Sequence, residues 1–340
     1  GRMSGREGAG RIAPFPKRLA DAVAEKGGPV VVGLDPRPEW FPPDVLAEGR
    51  RACEDPREAV AWAVATFSRA VIDAVRDVAA AVKPQVAFFE RYGWPGMRAL
   101  EETIAYAKRQ GLLVIVDGKR NDIGSTAAAY AQAYFGAAET STPGRDDGPW
   151  TARIPSGLEA DALTVNPYLG TDGVEPFLDA CRRRGKGIFV LVRTSNPSGA
   201  ELQRLALAGG GTAATVAEQV ADLVVRWNEG MPTHDGYGPV GAVVGATVPE
   251  EARALRRRMP GVVFLVPGYG AQGAGAAEAR AAFDERGRGA LVNSAREILY
   301  AWRRERPDVP GTLDDFAAAA RRAALRMRDE LAAALGRGRG

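Results

Sequence analysis

Four charged residues, Asp117, Lys119, Arg120 and Asp122, are interspersed with Gly118 and Asn121 in Val114-Ile115-Val116-Asp117-Gly118-Lys119-Arg120-Asn121-Asp122, directly after an apolar run. In extended backbone successive side chains point to opposite faces, so Asp117 and Lys119 are expected on the same side. Asp122 is expected to cap or open the helix that follows, with Thr126 one turn later on the same face. Taken alone, a D-x-K-x-x-D pattern reads equally well as loop charges followed by an N-cap. Lys83 changes that balance, because it also closes an apolar run and would approach the same mouth. Two lysines and two carboxylates within reach of one another hold each ammonium charged and fix its position, as electrostatic preorganisation requires. Lysine usage points the same way: of 45 Lys and Arg residues only Lys17, Lys26, Lys83, Lys108, Lys119 and Lys186 are lysines. A compact ammonium can release a proton and a guanidinium effectively cannot. For Lys83 the competing reading is a strand-end lysine that snorkels to solvent.

The elements that must position these charges are short apolar runs at 29–34, 78–82, 112–116, 162–165, 187–192, 240–244, 262–266 and 290–292. Most gaps between them carry an amphipathic stretch of helical period, at 56–76, 96–110, 124–135 and 212–228. Eight alternating strand and helix units predict a (β/α)8 TIM barrel, whose chemistry sits where the strands end. The residues after each run are correspondingly polar: Asp35, Lys83, Asp117 with Lys119, Asn166, 193–195, 245–247, 267–272 and 293–296. Loop insertions are expected at 137–159 and 195–211, and a closing helix at 313–335. Residues 14–335 are expected to form a single barrel domain, with residues 1–13 and 336–340 as disordered basic tails.

Composition narrows the function classes. With 46% hydrophobic and 26% charged residues in a chain of 340, the protein reads as globular. No apolar run approaches the roughly 20 residues of a membrane-spanning helix. A formal charge of +3 with bases interspersed among acids argues against a nucleic-acid surface. Cys53 and Cys181 are far apart and His234 is the sole histidine, which argues against a zinc site, a disulfide framework or a Ser/His pair. The absence of a signal-peptide pattern predicts a cytoplasmic location.

Several motifs occur together: Gly33-Leu34-Asp35-Pro36, Lys83-Pro84-Gln85, the Asp117 to Asp122 stretch, Thr164-Val165-Asn166-Pro167-Tyr168-Leu169-Gly170, Thr194-Ser195-Asn196-Pro197 and Pro267-Gly268-Tyr269-Gly270-Ala271-Gln272-Gly273. In this order, over about 29–300, they resemble orotidine 5′-phosphate decarboxylase of the longer bacterial type. The resemblance implies a barrel, a homodimer, no metal or organic cofactor, and conversion of orotidine 5′-phosphate to UMP and CO2. It implies that Asp117 faces the substrate carboxyl group, that Lys119 donates the proton and that Lys83 completes the charge network. Asp122 and Thr126 would cross the interface to the neighbour's ribose, and Asp35 would bind a ribose hydroxyl. Asn166 is a further candidate for substrate binding. Ser195 would read the pyrimidine edge, Pro267 would precede the phosphate loop, and Gln272 and Arg296 would hold the phosphate. The family commonly ends in Gly-Arg-Ser, whereas this chain has Asn293-Ser294-Ala295-Arg296. Two rivals stay open: a Mg2+-dependent lyase sharing D-x-K-x-x-D, and a catalytically silent nucleotide sensor.

Overall fold

The computed structural model describes residues 12–142, 150–270 and 274–337. The strands, in chain order, are β1 (Val30–Leu34), β2 (Ala81–Pro84), β3 (Leu113–Arg120), β4 (Ala137–Thr142), β5 (Trp150–Pro155), β6 (Ala162–Val165), β7 (Gly187–Arg193), β8 (Val240–Val244), β9 (Phe264–Val266) and β10 (Ala290–Ser294). Eight of them close a barrel in the order β1-β10-β9-β8-β7-β6-β3-β2, and every pairing within it is parallel. All eight expected strands form. β2 starts later than its apolar run, because Val78 and Ala79 still donate their N–H groups to Val75 at the end of helix Pro56–Val75.

Burial on both faces explains why these strands read as unbroken apolar runs. One set of side chains, including Val30, Val32, Val82, Val114, Val116 and Leu163, packs outwards under the helices. The alternate set, Val31, Ala81, Ile115, Ala162, Phe189, Val263 and Leu291, fills the barrel interior. Helix Phe15–Lys26 closes the floor: Phe15 meets Phe189 edge-on at 6.1 Å. A Cβ at position 187 would come within 2.2 Å of the Phe15 ring, so Gly187 is what lets that plug seat.

The 137–159 insertion contains an antiparallel hairpin, β4 with β5, paired from Ala137↔Pro155 to Thr142↔Trp150 and separate from the barrel sheet. The 195–211 insertion holds a short helix, Ala200–Gln203. Helix Val216–Trp227 begins later than its apolar pattern, where the Thr215 hydroxyl accepts from the Glu218 N–H at 3.2 Å and caps it. Helix Leu313–Ala334 closes the barrel exterior, opened by a Thr312–Asp315 capping box. Most of the residues expected as tails lie outside the described residues.

Candidate active site

The barrel mouth is built by the two-residue period of the strands. Lys83, Asp117 and Thr164 follow the interior residues Ala81, Ile115 and Ala162 by two positions, so they continue the inner face just where the apolar filling stops. Asp117 is the hub. Its Oδ2 accepts from Lys83 Nζ at 2.6 Å and from Gln85 Nε2 at 3.1 Å. Its Oδ1 accepts from Lys119 Nζ at 2.6 Å and from Thr164 Oγ1 at 2.9 Å. A carboxylate offers about four lone-pair sites, and here each has a donor.

Burial alone would push the Asp117 carboxyl up, but Lys83 and Lys119 outweigh it and hold it well below the usual carboxylate range. Burial likewise works to lower Lys83, and the charges of Asp117 and Asp35 reverse this and hold its ammonium above the ordinary value. The side chains of Lys83 and Asp117 are 8% exposed, whereas that of Lys119 is 45% exposed. One lysine is thus locked into the wall and the other faces the opening.

Lys119 reaches Asp117 by a route other than the expected one. Pairing of β3 with β6 shifts between Val116 and Arg120, and Lys119 lies in the left-handed region at φ 48°. Such a backbone is uncommon for a residue with a Cβ and needs support from its surroundings. Thr164 supplies some: its hydroxyl accepts from the Lys119 N–H at 2.9 Å while donating to Asp117.

Ser195 and Pro267 join Lys83, Asp117, Lys119 and Thr164 around a cavity of about 220 Å3, with Leu191, Val243 and Leu265 as an apolar wall. The Ser195 loop is anchored from below. Arg193 Nε donates to Glu251 at 2.6 Å, and Gln203 exchanges two hydrogen bonds with Thr194, at 2.8 and 2.9 Å. A Cβ at Gly245 would stand 3.2 Å from Ser195 Cα, so this glycine allows the loop its close approach.

The remaining candidates lie around the rim. Burial, partly offset by Lys83, raises the Asp35 carboxyl above its usual range. Its loop is pinned by Tyr300, whose hydroxyl donates to Asp35 O at 3.0 Å and accepts from Arg37 N at 2.7 Å. Asn166 turns its Oδ1 to the Tyr168 N–H at 3.0 Å and so shapes the Asn-Pro-Tyr turn. Arg296 is exposed, its guanidinium 6.0 Å from the Trp40 ring centre. Gln272 lies outside the described residues.

The expectation that Asp122 caps the helix needs correction. The N-cap of helix Gly124–Phe135 is Ile123, without a side-chain cap, and the Asp122 carboxylate accepts from the Ile123 N–H at 2.8 Å. Among the described residues no hydrogen bond or ion pair joins Asp122 or Thr126 to Lys83, Asp117 or Lys119 of the same chain. Gln85 and Thr164 are the residues that sequence reasoning passed over. The two-residue period could have found both, since each continues the inner face of its strand.

A closed parallel barrel with a lysine–aspartate–lysine network at the carboxyl ends of its strands defines the class, a barrel enzyme whose charged site lies at the strand ends. The family model for orotidine 5′-phosphate decarboxylase / HUMPS matches residues 28–305, and the chain belongs to this family. An orotidine 5′-phosphate decarboxylase of Rhodopirellula baltica is 47% identical over 320 residues, covering 93% of this chain and 98% of the relative. A Streptomyces avermitilis crystal structure provisionally assigned the same activity is 34% identical, with a TM-score of 0.70, covering 97% of this chain and 100% of that one. Leishmania donovani OMP decarboxylase is 29% identical, with a TM-score of 0.67 and coverage of 95% and 99%. No helix among the described residues is long and apolar enough to cross a membrane.

Proposed function

We infer that this chain decarboxylates orotidine 5′-phosphate to UMP and CO2 in pyrimidine biosynthesis, as its relatives' names and its family indicate. The observation that carries the residue-level reading is the Asp117 carboxylate clamped at 2.6 Å by both Lys83 and Lys119. Breaking the bond between C6 and the carboxyl group releases CO2 and leaves the electron pair on C6. Lys119, half exposed to the mouth, supplies the nearby positive charge and then gives C6 a proton. The resulting neutral amine regains its proton from solvent. Asp117, held ionised, faces the substrate carboxylate, and Lys83 keeps the network fixed and charge-balanced.

Around that centre, Asp35 binds a ribose hydroxyl, Ser195 reads the pyrimidine edge, and Pro267 shapes the wall near the ring. Gln272 and Arg296 hold the phosphate, and Asn166 sets the turn beside the site. This reading takes the longer bacterial type as the subtype, one barrel domain over residues 14–335, no metal or organic cofactor, and a cytoplasmic location in keeping with two free cysteines. It also takes the enzyme as a homodimer in which Asp122 and Thr126 serve the partner's site. Asp122 is unattached to its own chain's network, and beside it Ile123, Tyr168 and Leu169 are exposed at 53%, 76% and 44%, an apolar patch suited to a subunit contact.

Two assays test this. Loss of orotate absorbance should proceed with orotidine 5′-phosphate in the presence of EDTA, and abolition by EDTA would point to a metal-dependent lyase. For the shared site, Lys119→Ala and Asp122→Ala homodimers should each be impaired. Mixing them should restore activity towards one working site per heterodimer. Activity that stays at the level of the separate variants, with subunit exchange shown by mass tags, would put Asp122 to work in its own chain.

A further inference from the structure

The interior of the barrel turns polar at one height. Two residues beyond the apolar filling at Val31, Ala81, Ile115, Ala162 and Leu291 come Gly33, Lys83, Asp117, Thr164 and Asn293. Lys83, Asp117 and Thr164 are tied together by hydrogen bonds. Asn293 differs: it is 6% exposed, and its side-chain Oδ1 is buried with no hydrogen-bond partner among the described residues. Gly33 shows where the amide lies. A Cβ there would stand 3.3 Å from Asn293 Oδ1, so the amide rests over bare backbone of β1, the strand that leads into Asp35 two residues on. Asp35 Oδ1 is also buried without a partner among the described residues. Two acceptors, one on β10 and one just past the end of β1, therefore lack donors among the described residues.

Buried acceptors are rarely left unmet, and where they line a ligand site the ligand is the natural donor. Phosphate and carboxylate bring acceptors at neutral pH, so they cannot fill this role. Hydroxyl groups can, and a ribose carries two side by side. We propose that Asn293 is a substrate-binding residue whose side-chain carbonyl accepts a hydrogen bond from a ribose hydroxyl, next to the one taken by Asp35, so that this amide helps the enzyme select ribonucleotides. The proposal rests on the assignment of the barrel mouth as the nucleotide site with Asp35 at the ribose.

Calorimetric binding of UMP, 2′-deoxy-UMP and 3′-deoxy-UMP to the full chain and to Asn293→Ala and Asp35→Asn tests it. Asn293→Ala should weaken UMP about tenfold, the scale of one lost hydrogen bond. It should weaken one of the deoxy analogues less than about twofold, and that analogue names the hydroxyl bound. Equal weakening of all three ligands, or of none, overturns the proposal. If Asp35→Asn leaves UMP binding unchanged, the ribose does not lie on this wall and both assignments fall. If Asp35→Asn weakens UMP and Asn293→Ala does not, the Asn293 assignment alone falls. Should the alanine variant melt early, Asn293→Ser, whose hydroxyl stops short of the amide oxygen's position, carries the same expectations.

Discussion

The two walls of the barrel mouth differ in how complete they are. On the side of β2, β3 and β6, every lone pair of Asp117 has a donor, and the charges of Lys83 and Lys119 balance it. On the side of β10 and β1, Asp35 and Asn293 each bury an oxygen with no partner among the described residues. The first wall is finished before anything binds, which suits the charge-stabilising role proposed for it. The second wall is at a deficit that binding can relieve. On the proposed reading, preorganisation for chemistry and capacity for recognition fall to different strands of one sheet.

The largest effect should come from breaking the finished wall at its open end. Lys119→Ala is expected to lower kcat by about 10^4-fold or more, since both the proton and the nearby charge are lost. Lys119→Arg should not rescue it, because arginine keeps its proton. Substantial turnover by the arginine variant in the absorbance assay would remove Lys119 from the donor role.

A middle-sized effect is expected at Thr164, which contributes no charge. Thr164→Val removes the donor to Asp117 and the acceptor for the Lys119 N–H, and should lower kcat roughly 10- to 100-fold with UMP affinity changed by less than about threefold. Thr164→Ser keeps the hydroxyl and should recover most of the rate. A serine variant as slow as the valine variant would mean that shape, not the hydrogen bonds, matters there.

The smallest effect tests the other wall. A carboxyl whose folded pKa is raised is ionised in the fold only at a cost. Its contribution to stability is full below the unfolded value of 3.8 and is lost as pH rises through the folded value. At neutral pH the native chain bears that cost and Asp35→Asn does not, so the variant should melt roughly 1–2 °C higher at pH 7 while binding UMP more weakly. The gain should disappear when melting is repeated below the unfolded pKa. A lower melting temperature at pH 7 would show that Asp35 is stabilising as it stands, and the contrast between the walls would lose half its basis.

The barrel was legible because parallel strands buried on both faces leave apolar runs such as 240–244 that turn residues punctuate clearly. The β4–β5 hairpin was visible only as excess length, since its residues form no comparable run. At the site, Lys83, Asp117 and Lys119 were readable as charges at strand ends. Their meeting was anticipated for an incomplete reason: Lys119 arrives through a left-handed backbone and a register shift, which an even alternation of faces does not contain. Thr164 and Gln85 carry no charge to draw attention; the two-residue period puts them on the inner face, but their bonds to Asp117 appear only when their neighbours across the sheet are known. Asn293 stood among the strand-end residues, yet what singles it out is the partner it lacks, a property with no trace in the residue type.

Phe15 wedged against Phe189 has a consequence for traffic. Val31, Ala81, Ile115, Ala162 and Phe189, behind the catalytic cavity, are all sealed from solvent, so the barrel is a cul-de-sac rather than a corridor. Nucleotide and CO2 must both leave by the mouth through which the substrate entered. Both products therefore share one doorway with the arriving substrate, and the vestibule must clear before the next one can enter.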